Sequence, residues 1–306
     1  MKVMVFDVGG TEIKYSVMDE TLSRWDEGAI PTPQESQEEF LAAIEGIYRL
    51  HKEEVEGIAI SLPGFIDAEN GVVRGGGALL YNIGTPVGPR LARRCGCRVW
   101  LENDGKAAAM AELWQGALKG CRNASVFIIG TGVGGGLIVD GKLVRGRDCT
   151  AGEFSFVNVN SSDWTTPESL LTCHCSTTAL LYQYRARKGL PADAPMDGRK
   201  FFALLEDGDE AARETLEAFG QQIAIQIYNL NVLLDLEKVA IGGGISKQPV
   251  LIETIRRAYD ALLQNHPFGP ELSASLPRPE IVPCRFSSEA NQVGALYSYL
   301  LSARDN

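Results

Sequence analysis

One short pattern occurs twice in this chain: an apolar strand runs into a glycine-rich turn and back out along a second strand. Val5-Phe6-Asp7-Val8-Gly9-Gly10-Thr11 can be laid over Val126-Phe127-Ile128-Ile129-Gly130-Thr131-Gly132. Residues 2–8 read as a strand and Ile13–Met18 as its return, so the first copy is a β-hairpin and not a strand-to-helix turn. Ser125–Ile129 and Leu137–Val139 flank the second copy in the same way. A repeated unit of this kind implies an internal duplication, with one hairpin in each half. At 306 residues the chain is long enough for two lobes, because single cores tend to split above roughly 250 residues, and a cleft between lobes is expected.

Both turns suit phosphate. Glycines carry no side chain, so backbone N–H groups come close to an anion, and Thr11 adds a hydroxyl donor. Asp7, at the strand end, is placed to hold magnesium directly or through water. An ordinary hairpin turn would account for the glycines but not for the Asp and Thr beside them. Gly130-Thr131-Gly132-Val133-Gly134-Gly135 formally satisfies the G-x-G-x-x-G of dinucleotide-binding folds. That fingerprint must open a helix, whereas Leu137-Ile138-Val139 continues here as strand, so a second phosphate hairpin is the better reading.

Between the hairpins, Glu38–Lys52 carries apolar residues at helical spacing, and Val55–Leu62 reads as a buried strand broken by Pro63-Gly64. Gly71–Gly88 reads mainly as loop and Arg98–Leu101 as a short strand. Asn103-Asp104 stands where a helix N-cap belongs, ahead of Lys106–Leu113. Capping by Asp104 would stabilise that helix by about 1 kcal/mol. The same carboxylate is placed to accept the proton of an attacking hydroxyl, and the helix dipole favours its ionised form by roughly 0.3–1 kcal/mol. Past the second hairpin, Ala151-Gly152-Glu153 offers a carboxylate that can accept hydrogen bonds from vicinal hydroxyls.

Glu210–Leu234 reads as a long helix and Val239-Ala240-Ile241 as the last strand. Gly242-Gly243-Gly244 is either a backbone surface for a nucleotide base or sugar, or a tight strand-to-helix turn. Asn291–Ala303 reads as a closing helix without evident chemistry. The lobe change falls after the helix that ends near Lys119. This gives an N-terminal lobe of residues 1–119, completed by the closing helix at 291–303, and a C-terminal lobe of 120–290.

Charge and cysteine usage remove several function classes. A net charge of −10 disfavours nucleic acid, which calls for clustered Lys and Arg. Arg90, Arg93, Arg94 and Arg98 are the exception and read as the solvated face of a helix. Seven scattered cysteines make no disulfide framework and fit a reducing compartment. No segment approaches the ~18 apolar residues a membrane span needs, and no signal-peptide pattern opens the chain, so the cytoplasm is the expected location.

Taken in order, Asp-x-Gly-Gly-Thr at 7–11, Glu-Asn-Asp at 102–104, Gly-Thr-Gly-x-Gly-Gly-Gly at 130–136, Ala-Gly-Glu at 151–153 and Gly-Gly-Gly at 242–244 resemble the ROK family (repressors, open reading frames, kinases) of sugar kinases. The resemblance runs from Met1 to Gly294-Ala295. It implies an α/β fold, the duplicated actin-like ATPase (ribonuclease H-like) fold, with ATP and magnesium held between two lobes. It implies Asp7, Gly9, Gly10, Thr11 and Lys14 for the first phosphate site, Thr131 and Gly132 for the second, and Gly243 and Gly244 for the nucleoside. Asp104 becomes the catalytic base, with Gly64, Asn103, Asp104 and Glu153 around the sugar. A kinase is expected over a repressor, because the chain starts at the phosphate hairpin and leaves no room for an N-terminal helix-turn-helix. A homodimer is also implied.

Two departures from the family pattern bear on the substrate. Family members often carry a Cys-x-Cys-Gly-x-x-Gly-Cys zinc cluster. Here Cys173-His174-Cys175 is followed by Ser176-Thr177-Thr178-Ala179-Leu180, so Leu180 replaces the last Cys and zinc is not expected. Ser176 or Thr177 reads instead as a helix cap. Phe156 stands where the family has a sugar-binding His, and Gly76-Gly77-Ala78 where an Asn-Leu is often found. A site that loses polar donors near the anomeric carbon loses discrimination for a free hydroxyl there and admits an aglycone. Together with Ile60–Asp67, these features look like the β-glucoside kinases, so transfer to the 6-hydroxyl of a hexose or β-glucoside is expected. The alternatives are an N-acetylmannosamine or fructose kinase and, in another class, a non-catalytic sugar-sensing regulator.

Overall fold

The computed structural model describes residues 1–304. β1 (Lys2–Val8) folds back antiparallel on β2 (Glu12–Asp19), which pairs in turn with β3 (Arg24–Pro31). α1 (Gln37–His51) is capped by Ser36, whose Oγ accepts from the Glu39 amide at 3.2 Å; Glu38 and Glu39 in its first turn suit the positive end of the helix. β4 (Gly57–Leu62) runs parallel to β1, and the small hairpin of β5 (Phe65–Asp67) and β6 (Val72–Gly75) leads into α2 (Val87–Cys95). β7 (Arg98–Asn103) then adds parallel to β4, and α3 (Asp104–Gln115) leaves its end. The sheet order is β3-β2-β1-β4-β7. Because β1 and β4 are flanked on both sides and covered by helices, they read as near-continuous apolar runs. Phe6, Ile58 and Ile60 meet Phe40, Leu41 and Ile44 of α1 in one core.

The second sheet repeats this plan. β8 (Ala124–Ile129) and β9 (Val133–Val139) form the hairpin, with β10 (Lys142–Leu143) at the edge. Four helices follow: α4 (Thr172–Cys175), α5 (Thr177–Lys188), α6 (Gly198–Glu206) and α7 (Glu210–Leu234). β11 (Lys238–Gly242), α8 (Pro249–Gln264), α9 (Pro270–Ser275) and β12 (Glu280–Pro283) complete it. The order is β10-β9-β8-β11-β12, with β8 parallel to β11 and β11 parallel to β12. Strand for strand, β8 and β9 match β1 and β2, and β11 and β12 match β4 and β7. Its core joins Phe127 and Ile241 of the strands to Phe219, Ile223 and Ile227 of α7 and Ile255 of α8.

The chain divides into two compact units. The first holds residues Met1–Gly116, Leu143–Ala151 and everything from Ser288 onward, and the second holds Ala117–Lys142 and Gly152–Ser287. Residues 143–151 of the first unit fall inside the 120–290 span assigned from sequence to the C-terminal lobe. The last helix, α10 (Ala290–Arg304), packs on α3 so closely that a Cβ at Gly294 would lie 1.7 Å from the Ala107 carbonyl oxygen. Among the described residues no helix is long and apolar enough to cross a membrane.

Several sequence expectations need correction. β3 is an edge strand whose Trp25, Asp26 and Glu27 are exposed, so it shows no apolar alternation and escaped the reading. Val239-Ala240-Ile241 is not the last strand, because the four-residue β12 lies beyond it. The supposed loop Gly71–Gly88 contains β6 and the start of α2, and β9 begins at Val133, four residues ahead of the expected Leu137. The arginines do not form one solvated helix face. Arg90 and Arg94 reach Glu38 of α1, and Arg98 belongs to β7, where its Nη2 donates to Ser302 Oγ at 2.9 Å.

Candidate active site

In the first unit the β1–β2 turn spans the four residues between the paired Val8 and Ile13. It is tied back from behind. Thr32 donates its hydroxyl to the Gly9 carbonyl (2.8 Å) and its amide to the Thr11 carbonyl (2.9 Å), and Gln34 Nε2 donates to the Gly10 carbonyl (2.8 Å). The three oxygens that would repel an anion are thus engaged, while Gly9, Gly10 and Thr11 remain exposed.

Asp7 precedes this turn, largely buried, with Oδ1 accepting from Asn291 Nδ2 of α10 at 2.9 Å. Burial pushes its carboxyl above the ordinary Asp value; the Asn291 hydrogen bond and the charge of Lys14, its cross-strand partner, oppose that shift. A carboxylate whose charge is held back by desolvation gains from a nearby cation.

Three consecutive residues at the end of β7 have separate tasks. Asn103, with extended backbone, is the true N-cap of α3: its Oδ1 accepts from the Lys106 amide at 3.0 Å. The capping expected of Asp104 therefore belongs to its neighbour, and Asp104 is the first helical residue. Asp104 Oδ1 accepts from the Gly105 amide (2.7 Å) and from Asn103 Nδ2 (3.0 Å), which fixes the carboxylate's orientation. Asn103 Nδ2 also donates to the Gly64 carbonyl at 2.9 Å. Gly64 has φ +115°, and a Cβ there would lie 2.7 Å from the Gly75 carbonyl oxygen and 3.0 Å from that of Gly76. The Pro63-Gly64 loop and the Gly75-Gly76 segment therefore meet backbone to backbone.

Behind them Glu102 is wholly buried. Arg145 Nη1 and Nη2 donate to its two carboxylate oxygens at 2.6 and 2.7 Å, Ser298 Oγ of α10 donates to Oε2 (3.1 Å), and the Asn103 amide donates to Oε1 (3.2 Å). Burial alone would lower the Arg145 pKa, but the Glu102 charge and hydrogen bonds outweigh it and the net shift is upward. An unpaired carboxylate there would carry a desolvation penalty of several kcal/mol, so the bidentate pair is what permits Glu102 at this position.

In the second unit the β8–β9 turn has three residues, Gly130-Thr131-Gly132, and is tied back by the same logic. The Gly130 carbonyl accepts from the Thr177 amide (2.9 Å), the Thr131 carbonyl from Thr178 Oγ1 (3.2 Å), and the Gly132 carbonyl from the Gly130 amide (3.0 Å). Thr177 and Thr178 open α5, whose cap is Ser176, with Oγ accepting from the Ala179 amide at 3.0 Å. Gly243 sits at the neighbouring strand end with φ +99°, where a Cβ would be 2.1 Å from the Ile129 carbonyl oxygen, whereas Gly244 has nothing within 4 Å. Glu153 precedes a short 3-10 turn, Phe154–Phe156, anchored by Phe154 stacking on Phe127 with centroids 4.3 Å apart. Phe156 is 60% exposed.

Two clusters of expected residues thus form in the first unit, Asp7 with the hairpin and Lys14, and Gly64 with Asn103 and Asp104. In the second, Thr131, Gly132 and Gly243 lie at adjoining strand ends, and Glu153 stands on the 3-10 turn. Sequence reading missed Arg145, Asn291 and Ser298. The closing helix, read as free of chemistry, supplies two of these. A signal did exist for Arg145, since the acid Glu102 directly following the apolar run Val99–Leu101 on a buried strand requires a cation. None existed for Asn291. In the Cys173-His174-Cys175 run, burial pushes the Cys175 thiol up to about 12, and His174 Nε2 hydrogen-bonds to the Glu168 carbonyl (2.7 Å).

A family model described as the ROK family matches residues 3–299. A β-glucoside kinase of Klebsiella pneumoniae is 30% identical over 259 residues, which is 84% of this chain and 86% of that protein. An N-acetyl-D-glucosamine kinase of Vibrio atlanticus is 31% identical over 264 residues, 81% of this chain and 86% of that protein. A ROK family protein from Streptococcus pneumoniae, solved in complex with sucrose, has a TM-score of 0.87 at 28% identity and covers 100% of both chains.

Proposed function

The chain belongs to the ROK family, and from that premise we propose that it transfers the γ-phosphate of ATP to a sugar, with the 6-hydroxyl of a β-glucoside or hexose as acceptor. Its fold is the two-lobed actin-like ATPase fold of the family's sugar kinases. The observation that carries the reading is the fixed Asp104 carboxylate at the first turn of α3, next to an asparagine whose amide ties it to the Gly64 loop.

Asp104 is assigned as the base. Phosphoryl transfer passes through a largely dissociative transition state, so a weak base suffices and aiming the hydroxyl matters as much as removing its proton. The Gly105 amide and Asn103 Nδ2 hold Asp104 Oδ1 and thereby set that aim. Asn103, Glu153 and the Gly64 loop are assigned to the sugar hydroxyls. Gly9, Gly10, Thr11 and Lys14 are assigned to phosphate in the first unit, Thr131 and Gly132 to phosphate in the second, and Gly243 and Gly244 to the nucleoside. Asp7 fits a magnesium ion, being an oxygen ligand whose charge burial holds back. Magnesium, when bound, supplies positive charge against the negative charge of the transferring group.

A β-glucoside is favoured because Gly76-Gly77-Ala78 and the exposed ring of Phe156 replace polar donors, and because one relative carries that activity in its name. The Vibrio relative supports an N-acetylhexosamine as the second reading. ADP release measured over cellobiose, gentiobiose, glucose, N-acetylglucosamine, N-acetylmannosamine and fructose tests this directly. Turnover on β-disaccharides is expected. Turnover confined to an N-acetylhexosamine overturns the substrate, and none on any sugar points to a sugar-sensing binder instead. A cytoplasmic homodimer accompanies the reading, and a monomer in sedimentation counts against it.

A further inference from the structure

The first sheet carries a polar row across four strands. Lys14 of β2 is in register with Asp7 of β1, Asp7 with Ser61 of β4, and Ser61 with Glu102 of β7. Their chain neighbours Ile13, Phe6, Ile60 and Leu101 lie in the core shared with α1, so by strand alternation the row faces the other way. Asn291 and Ser298 of α10 meet it there, at Asp7 and Glu102. Ser61 is wholly buried, and among the described residues its hydroxyl has no hydrogen-bond partner. We propose that Ser61 is a positioning residue for the divalent cation of the nucleotide complex: its hydroxyl and Asp7 Oδ2 together hold one water of the cation's shell. The inference rests on the nucleotide reading given above.

Elimination turns the Ser61 hydroxyl towards Asp7. On its other flank both Glu102 oxygens are filled: Oε1 accepts from Arg145 Nη1 and the Asn103 amide, and Oε2 from Arg145 Nη2 and Ser298 Oγ. Asp7 is only half engaged, because Asn291 donates to Oδ1 and no described group donates to Oδ2. Lys14, on the far side of Asp7, has its ammonium 4.0 Å from Glu12. The free carboxylate oxygen and the orphaned hydroxyl are therefore neighbours on adjacent strands.

Buried polar groups are hydrogen-bonded in all but a few cases, so an orphaned hydroxyl beside a half-engaged carboxylate needs a reason. Paired strands lie about 4.8 Å apart, and two oxygens on such strands that do not bond each other directly are at a separation one water can bridge. A buried water makes about three bonds, of which Asp7 Oδ2 and Ser61 Oγ supply two. A cation supplies the third. Magnesium sheds water reluctantly, and proteins hold it by one or two carboxylates while several of its waters stay bound. A water on the cation donates both protons, one to the carboxylate and one to the Ser61 oxygen. Alanine cannot accept that proton, and a cysteine sulfur accepts only weakly.

The test measures ADP affinity of the full chain by calorimetry, once with magnesium and once with EDTA, so that the ratio of the two reads the cation's share of binding. In Ser61→Ala this ratio should fall about three- to tenfold, the size expected for one lost hydrogen bond, while the affinity in EDTA stays unchanged. Ser61→Cys should move the ratio the same way, which separates the hydroxyl from side-chain volume. Asp7→Asn should lower the ratio further, and adding Ser61→Ala to it should cause no additional loss, because both residues act on one water. The ligand-free Ser61→Ala chain should melt no lower than wild type, since the oxygen it removes has no partner there. A ratio that Ser61→Ala leaves intact, an equal loss with and without magnesium, or losses that simply add to those of Asp7→Asn overturn the proposal. A wild type that binds ADP no better with magnesium removes the cation from Asp7 and this inference with it; one that binds no ADP at all overturns the nucleotide reading itself.

Discussion

The two units share a sheet plan and differ in what stands at the ends of their equivalent strands. In the first, β1 carries Asp7 near its end, β4 runs into Pro63-Gly64, and β7 into Asn103-Asp104. In the second, Ile128 occupies the place of Asp7, β11 runs into Gly242-Gly243, and β12 into Pro283-Cys284. Both hairpin turns keep their carbonyl oxygens tied back, so the capacity to meet an anion with backbone is common to both copies. Among these equivalent strand ends, only those of the first unit carry carboxylates, Asp7 and Asp104. The sheet order repeats, while the first unit sets charged side chains at these strand ends and the second sets bare backbone at the end of β11.

Substitutions can break that comparison. The largest effect is expected from Asp104→Asn, which keeps the shape but removes the proposed proton acceptor. General-base contributions run to about 10²–10⁴-fold, so kcat should fall by that much while sugar and ATP KM move little. Thr131→Val in the second unit should instead raise ATP KM and leave kcat within a few-fold. If Thr131→Val costs as much kcat as Asp104→Asn, the division of labour is wrong.

Next in size is the support behind the Asn103-Asp104 end. Arg145→Ala leaves Glu102 buried without its counter-ion, a change that costs about 3–5 kcal/mol in buried pairs; partial exposure of Arg145 favours the lower end. Urea denaturation of Arg145→Ala against Glu102→Leu/Arg145→Met checks this. The double variant should recover most of the stability but not the activity, because Asn103 loses the Glu102 oxygen that receives its amide.

The glycine-ended half makes its own, smaller prediction. Gly243→Ala imposes a left-handed strain worth about 1–3 kcal/mol and drives a methyl into the Ile129 carbonyl, while Gly244→Ala meets open space and should stay within about 0.5 kcal/mol. Thermal melts of the two without ligand separate them. Equal melting temperatures would mean that Gly243 serves only a ligand and not the packing of β11 on β8.

What sequence could reveal follows from where the information lies. The hairpins, the long helix Glu210–Leu234 and the helix after Asn103 were legible because their signals are local: glycine turns, a 3.6-residue period, a cap. Edge strand β3 and four-residue β12 were illegible, since exposed or very short strands need no apolar alternation. At the site, Asp7, Asn103 and Asp104 stood out by type and spacing. Asn291 and Ser298 did not, because they touch Asp7 of β1 and Glu102 of β7 across 284 and 196 residues of chain, and only the packing of α10 against the first sheet makes them neighbours.

The smallest effect tests the carboxylate that sets the two hairpins apart. The Asp7 pKa is raised in the folded chain above its unfolded value, so between those values the native state holds the extra proton and stability falls as pH rises. Above the folded value the full desolvation penalty is present; below about 3.9, the ordinary Asp value, it vanishes. Asp7→Asn removes the penalty, so at pH 7 the ligand-free variant should melt slightly above wild type, and the difference should close on acidification. The rise is small because Asn291 and Lys14 already offset part of the burial. Magnesium-ATP should reverse the order by stabilising wild type more than the variant. A variant that melts lower than wild type at both pH values would make Asp7 a structural partner of Asn291, and the first hairpin would then differ from the second in packing and not in chemistry.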